Sequence, residues 1–197
     1  MKAIDSSSKT VGQAKSIADA GYGAVGVYLR PDRCSRAMIT ELHNAQLQVW
    51  STYEKGYPTT SGYFSQTQGA RDGGAAATFA KQVLNQPAGS QIYATVDFDP
   101  DHNDPNGPTI TGPISQYMRA FKAAVEPAGY LASVYGSGRT CRILIAIGLA
   151  KSGWLCQSTS FGDRNIFTPN AAIIQLPRIN NSWDGDDVPN PVAAGLW

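Results

Sequence analysis

The chain has 197 residues, of which 42% are hydrophobic and 16% charged, and its formal net charge is +1. This composition is typical of one folded domain and excludes a disordered chain. The near-neutral charge and the lack of Lys/Arg runs exclude a nucleic-acid-binding surface. The longest strongly apolar stretch, residues 143–150, is too short to cross a bilayer.

Apolar runs and helical stripes alternate over the first three quarters of the chain. We predict strands at the short β-rich runs 2–5, 24–29, 47–53, 91–96 and 131–135. Helices are expected between them, the first one entered by a capping box at Thr10 to Gln13 with an apolar stripe that begins at Val11. The later helices cover about 35–45, an Ala-rich segment around 76–84, a stripe from 114 to 125 that stops at Pro127, and about 140–150.

The last quarter loses this alternation. Three further runs, 154–156, 171–176 and 183–188, resemble strands without long helices between them. The expected fold is therefore α/β: an irregular TIM-like β/α barrel of about five βα units followed by three strands, in one domain over residues 1–197. The absence of a G-x-G-x-x-G motif after the first strand disfavours a Rossmann fold.

The most informative segment is 91–100, where a buried-strand pattern runs into Asp97 and Asp99. Side chains alternate across a strand, so the two carboxylates are expected on one face, with Cα atoms roughly 7 Å apart. Carboxyl groups about 5–9.5 Å apart suit hydrolysis of a glycosidic bond. The alternatives are solvated acids, or a calcium site that adds Asp101 and Asp104.

Acidic residues also follow other predicted strands, at Asp5 and Glu54 and in the late cluster Asp184, Asp186 and Asp187. The carboxyl ends of barrel strands meet on one face, where active sites lie, so these acids predict an acidic pocket. Helix capping is the competing interpretation for Asp5. Possible sugar-binding groups on the strands are Tyr28, Tyr53, Tyr135, Trp154 and Gln175, although rings such as these, and Tyr93, also fill barrel cores.

The cysteines and histidines favour no metal or nucleophile site. Cys34, Cys141 and Cys156 have no metal-binding spacing, and we expect buried free thiols, with a disulfide between Cys141 and Cys156 as the alternative. The two histidines, His43 and His102, are far apart in sequence. No cofactor and no metal are expected.

The order of these motifs resembles a known family. The matching segments are 3–5, 20–22 running into 27–29, 53–54, 92–99, 134–137, 174–175, 187 and 195–197. Together they resemble the glycoside hydrolase-like family catalogued as domain of unknown function 1906, which is similar to the peptidoglycan-cleaving lysozymes of glycoside hydrolase family 25. The resemblance implies a barrel, a cell-wall glycan substrate and an acidic pocket.

The resemblance also implies roles for single residues. Asp5, the pair Asp97 and Asp99, and Asp187 match the family's acidic positions. Asp99 stands where the lysozymes usually carry a Glu general acid, so its shorter side chain withdraws the proton donor, and Glu54 is a candidate to compensate. We expect Asp97, Asp99, Asp5 and Glu54 to be catalytic. Expected substrate-binding residues are Asp187, Tyr28, Tyr53, Tyr135, Trp154 and Gln175.

The favoured hypothesis is a lysozyme-type N-acetylmuramidase that cleaves β-1,4 bonds of peptidoglycan; the alternative is a non-catalytic glycan-binding module on the same barrel. The first residues lack the apolar core of a secretory signal. We therefore expect a protein made in the cytoplasm that reaches the wall or periplasm after lysis or by non-classical secretion, as a phage lysin or antibacterial effector. The expected partners are peptidoglycan strands and an immunity or delivery protein, with no nucleic acid and no membrane insertion.

Overall fold

A computed structural model describes residues 1–7 and 10–197 and shows a closed β-barrel. Its strands follow one another around the barrel in chain order: β1 (Lys2–Ser6), β2 (Ala24–Tyr28), β3 (Gln48–Tyr53), β4 (Gln91–Thr95), β5 (Leu131–Gly136), β6 (Gly153–Leu155), β7 (Ile173–Arg178) and β8 (Asp184–Asp187). All eight predicted strands are confirmed.

The barrel is irregular because its last strand runs the other way. Strands β1 to β7 pair in parallel, whereas β8 is antiparallel to both of its neighbours, β7 and β1. The expectation that every strand points in the same direction was therefore wrong for β8. As a consequence, the first residues of β8, rather than its last, lie beside the carboxyl ends of the other strands.

The helices cover the outside of the barrel. They are α1 (Ala14–Asp19), α2 (Arg36–Asn44), α3 (Gln66–Thr78), α4 (Ser115–Val125), α5 (Gly138–Ala146), α6 (Arg164–Phe167) and α7 (Pro191–Ala194). A wider helical turn, Phe79–Leu84, continues α3, and another, Ile110–Ile114, leads into α4. The short helices α6 and α7 were missed. None of the helices in 1–7 and 10–197 is long and apolar enough to span a membrane.

Serine residues are the N-caps of three helices, α2, α3 and α5. Ser35, Ser65 and Ser137 each accept a hydrogen bond from the backbone N–H three residues later, which satisfies one of the free amides of the first turn. The predicted capping box of α1 was wrong, because its N-cap residue Gln13 makes no side-chain cap bond. Instead, Glu41 of α2 accepts from the amides of Gly12 and Ala14.

Helices α3 and α4 pack closely because α3 carries glycines on the facing side. A Cβ atom at Gly69 would lie 2.1 Å from the carbonyl oxygen of Tyr117 in α4, and one at Gly73 would lie 2.7 Å from that of Phe121. The predicted apolar stripe of α4 is buried in this contact and against the barrel; its residues are Ile114, Tyr117, Met118, Phe121 and Val125.

The lower end of the barrel interior is closed. Trp50, Tyr93 and Trp154 fill it, and the Tyr93 hydroxyl donates to the carbonyl of Ala194, in α7, at 3.1 Å. Gln91 donates to the carbonyl of Ala193 at 2.7 Å. The interior is therefore packed at the amino ends of the parallel strands, and it opens at their carboxyl ends. Cys141 and Cys156 are buried free thiols, as predicted, and Cys34 is buried as well.

Candidate active site

Strand alternation decides which side chains reach the open end of the barrel. Every second residue of each strand points inwards, and the uppermost inward residues surround a polar cavity of about 260 Å³. Its lining includes Ser7, Tyr28, Glu54, Thr95, Asp97, Tyr135, Trp154, Gln157, Gln175, Arg178 and Asp184. Asp5 and Asp186 lie below this layer, with 1% and 2% of their surface exposed.

Asp5 is held in a fixed orientation at the base of the site. The Tyr28 hydroxyl donates to its Oδ1 at 3.3 Å, and Gln175 Nε2 donates to its Oδ2 at 3.1 Å. Gln175 is itself fixed, because its Oε1 accepts from the Tyr135 hydroxyl at 2.7 Å. Burial raises the pKa of Asp5 to about 6 in spite of these hydrogen bonds. This carboxyl belongs to the pocket and does not cap α1.

Asp186 shares the base of the site with Asp5. Its Oδ1 accepts from the indole N–H of Trp154 at 2.9 Å, and its carboxyl group lies close enough to that of Asp5 for each to affect the pKa of the other. Burial, followed by the negative charge of Asp5, raises the pKa of Asp186 well above its usual range. Both effects favour the neutral form of the Asp186 carboxyl group, which is how two buried carboxyl groups are accommodated side by side.

Glu54 is the carboxyl group of the site whose pKa is raised to near neutral pH. It is half-buried directly after β3, and burial, together with the negative charges of Asp97 and Asp5, raises its pKa to about 7. Asp97 stands at the more exposed rim, and partial burial raises its pKa as well. The charge of Asp97 opposes ionisation of Glu54, so Glu54 takes up a proton as the pH falls through about 7.

Asp99 does not share this cavity. Strand β4 ends at Thr95, so alternation no longer governs the residues beyond it, and the chain bends at Phe98 before Asp99. Its Oδ2 lies 2.5 Å from Nδ1 of His102 and accepts from the backbone amide of Gly162 at 2.9 Å. Asp97 lines the cavity and Asp99 is not among its lining residues, so the two carboxyl groups do not form the pair that was expected there. Asp99 instead connects two loops beside the barrel mouth.

Two further predicted binding residues also lie outside the cavity. Asp187 points away from the barrel interior and pairs with the amino group of Met1 at 3.2 Å. The inward acids of β8 are its neighbours Asp184 and Asp186, because alternation places Asp187 on the opposite face. Tyr53 likewise faces outwards from β3, towards α3.

The remaining predicted site residues are brought together around one cavity: Asp5, Glu54, Asp97, Tyr28, Tyr135, Trp154 and Gln175. Sequence reasoning named Asp184 and Asp186 as part of an acidic cluster but did not assign them to the site. Strand alternation together with an antiparallel β8 would have selected them. Ser7, Gln157 and Arg178 carried no signal in the sequence, because they enter the cavity from loops or a strand end.

The acidic side chains of the loop after β4 accept hydrogen bonds from backbone amides of the same segment. The Asp101 carboxylate accepts from the amides of Thr109 and Ile110, and Asp104 accepts from that of Asn106. In residues 1–7 and 10–197 no three His, Cys, Asp or Glu side chains are grouped to hold a metal ion. The calcium site considered as an alternative therefore has no assembled ligand set in this loop.

Comparison with known sequences identifies relatives over most of the chain. Residues 15–191 match the Rv2525c-like, glycoside hydrolase-like domain. Two uncharacterised Bacillus subtilis proteins, YbfG and FadG, are 29% and 27% identical over 77% and 95% of this chain. The matched regions are 22% of YbfG and 34% of FadG, so the chain corresponds to a minor part of either relative.

Solved structures share the fold at low sequence identity. The Tat-secreted protein Rv2525c of Mycobacterium tuberculosis, solved with L-tartrate, superimposes with a TM-score of 0.82 over 100% of this chain and 98% of its own, at 17% identity. An uncharacterised B. stearothermophilus protein gives 0.69 over the full length of both chains, at 14% identity. A family 18 chitinase from Pseudoalteromonas aurantia gives 0.51 over 80% of this chain and 67% of its own, at 11% identity.

Proposed function

Because the chain belongs to the Rv2525c-like, glycoside hydrolase-like domain family, which indicates a glycan-related role, we propose that it hydrolyses β-1,4 bonds of a cell-wall glycan. The observation that carries the proposal is Glu54, a carboxyl group with a pKa of about 7 that faces Asp97 across an open polar cavity. A carboxyl group whose pKa lies near neutral pH, beside a second carboxyl group with a lower pKa, is the arrangement that glycosidases use.

In the proposed reaction Glu54 is the general acid. It donates its proton to the glycosidic oxygen while the bond from that oxygen to the anomeric carbon breaks. Asp97, ionised at the rim, stabilises the positive charge that develops on the sugar or on its N-acetyl group. A water molecule then adds to the anomeric carbon and returns a proton to Glu54, which restores the starting state.

The layer below the reacting groups orients the substrate. The hydrogen-bonded chain from Tyr135 through Gln175 to Asp5 leaves few rotamers for these side chains. The hydroxyl groups of Tyr28 and Tyr135 and the amide of Gln175 line the cavity, so its lower part presents both donors and acceptors to sugar hydroxyls. The rings of Tyr28 and Trp154 line the same space, and Tyr28, which is partly exposed where Trp154 is buried, offers apolar surface to a pyranose.

We propose peptidoglycan as the substrate and a muramidase-type cleavage, with the wall or periplasm as the place of action. The general acid in this proposal is Glu54 and not Asp99, the residue expected from the sequence. Asp99 is not among the residues that line the cavity, and its Oδ2 is held by Gly162 and His102, whereas a proton donor must reach the glycosidic oxygen directly. The longer Glu side chain at the end of β3 supplies that reach.

Incubation of the purified protein with peptidoglycan tests the proposal. Wild type is expected to release new reducing ends that mass analysis identifies as N-acetylmuramic acid. Asp97→Asn should lower this rate by about a hundredfold or more, while Asp104→Asn, a loop acid outside the cavity, serves as the matched control and should retain it. Protein that sediments with the glycan without producing reducing ends would instead be a binding module.

A further inference from the structure

A second cavity of about 300 Å³ adjoins the candidate active site. It shares Ser7, Tyr28 and Glu54 with the first cavity, so the two are continuous on either side of the proposed general acid. Any glycan long enough to present a bond to Glu54 therefore places a neighbouring sugar, or a substituent of one, in this second space.

The second cavity differs from the first in charge. Arg30, Arg33 and Lys55 line it, whereas the first cavity holds Glu54, Asp97, Asp184 and a single arginine. That arginine, Arg178, is already paired with Asp184 at 3.1 Å. A change from acidic to basic lining across one residue is a specific feature, because it favours a substrate that carries negative charge on one side of the cleaved bond only.

The two arginines are held in place by one acid. Asp32 accepts from Nε and Nη2 of Arg30 at 3.1 and 2.9 Å, and it lies 3.1 Å from Nε of Arg33. Arg33 also donates to the carbonyl of Ser7. One carboxylate thus orients two guanidinium groups and neutralises only one of them. Lys55 has no ion-pair partner in the part of the chain that the structure describes, so the cavity keeps an excess of positive charge.

Tyr57 adds an exposed ring to the same cavity. Its side chain is 84% exposed, although its backbone adopts the left-handed conformation with φ of 61°, directly after Gly56 with φ of 84°. Such a conformation is costly for a residue with a Cβ atom and is concentrated at ligand-binding segments. The loop is attached to the active site, because the carbonyl of Pro58 accepts from the amide of Asp97 at 2.9 Å.

We propose that Arg30, Arg33, Lys55 and Tyr57 form a subsite for an anionic substituent, a carboxylate or a phosphate, on the sugar next to the cleaved bond. The cations bind the substituent, and the Tyr57 ring packs against the sugar that carries it. This inference rests on the proposed function for the position of the bond, and it adds a substrate class to it: glycans with acidic substituents.

Binding measurements separate the two proposals. Glu54→Gln, used to prevent cleavage, is titrated with three oligosaccharides of equal length: neutral chitotetraose, peptide-free peptidoglycan strands with free lactyl carboxylates, and a phosphorylated chitotetraose. The protein should bind at least one anionic oligosaccharide roughly three- to tenfold more tightly than the neutral one, and added salt should reduce that preference. The anionic oligosaccharide that binds more tightly than the neutral one shows whether carboxylate or phosphate is recognised.

The variant Lys55→Met, made in the same background, should lose most of this preference, and Tyr57→Ala should weaken binding of all three oligosaccharides. The matched control Lys151→Met removes an exposed lysine that precedes β6 at the other end of the barrel, and it should keep the preference. Equal affinity for neutral and anionic oligosaccharides, or a preference that survives Lys55→Met, would overturn the subsite. If the preference depends on Lys55 but wild type yields no reducing ends, the subsite is supported and hydrolysis is rejected. If wild type yields reducing ends but shows no preference for anionic oligosaccharides, hydrolysis is supported and the subsite is rejected.

Discussion

At the scale of single residues, the site depends on what burial does to carboxyl groups. Asp5, Glu54 and Asp186 all carry raised pKa values, and burial is the largest cause for each. The sequence predicted Asp5 and Glu54, because each follows a predicted strand. It misplaced Asp99, because the contacts that turn this side chain away come partly from Gly162, which is 63 residues further along the chain.

The raised pKa of Asp5 predicts how stability depends on pH. The folded protein binds a proton at Asp5 more tightly than the unfolded chain, whose pKa is 3.8. Its contribution to stability is therefore fully present below pH 3.8 and is lost as the pH rises through about 6. The free energy of unfolding should fall by about 3 kcal/mol from this group over that window.

Urea denaturation at pH 4.5 and 7.5 checks this prediction. Asp5→Asn should show a smaller fall between the two pH values than wild type. Asp19→Asn, an exposed acid that pairs with Lys15, is the control and should show the wild-type fall. An identical pH dependence in wild type and Asp5→Asn would mean that Asp5 is ionised without cost in the folded protein.

At the scale of elements, sequence patterns predicted most of the fold. Strands β2 to β6 were found because apolar runs that are buried from both sides remain visible in a single sequence. The direction of β8 and the first residue of α1 were not predictable in the same way. The first depends on how the barrel closes against β1, and the second on Glu41, which caps α1 from a different helix.

The contact between α3 and α4 gives a matched pair of glycine variants. Gly69→Ala should destabilise the protein by about 1–3 kcal/mol, because its Cβ would lie 2.1 Å from the Tyr117 carbonyl oxygen. Gly74→Ala, in the same helix, meets no atom within 4 Å and should stabilise by up to about 1 kcal/mol through helix propensity. Thermal denaturation of both variants measures the difference. If both variants stabilised the protein to the same extent, the helices would not pack through Gly69.

At the scale of the whole molecule, stability and chemistry occupy opposite ends of the barrel. The amino ends of the parallel strands are closed by α7 and a buried polar layer, in which Tyr93 donates to Ala194 and lies 3.0 Å from Ser152 Oγ. The carboxyl ends hold the two cavities. Function can therefore be altered at one end with little effect on the other.

Tyr93→Phe tests this separation. The variant leaves the buried carbonyl of Ala194 without its donor and should cost about 1–3 kcal/mol of unfolding free energy. Glycan binding by the variant, measured well below its melting temperature, should equal that of wild type. A stable variant with weakened glycan binding would show that packing at the closed end of the barrel affects binding in the cavity at the other end.

The central claim is that Glu54, and not Asp99, donates the proton. The most direct measurement is the pH dependence of kcat/KM on peptide-free peptidoglycan strands for wild type, Glu54→Gln and Asp99→Asn. Wild type should lose activity as the pH rises through about 7, where Glu54 loses its proton. Glu54→Gln should fall by roughly 10²- to 10⁴-fold, and Asp99→Asn should keep the wild-type profile within a few-fold. An inactive but fully folded Asp99→Asn, together with an active Glu54→Gln, would contradict the account.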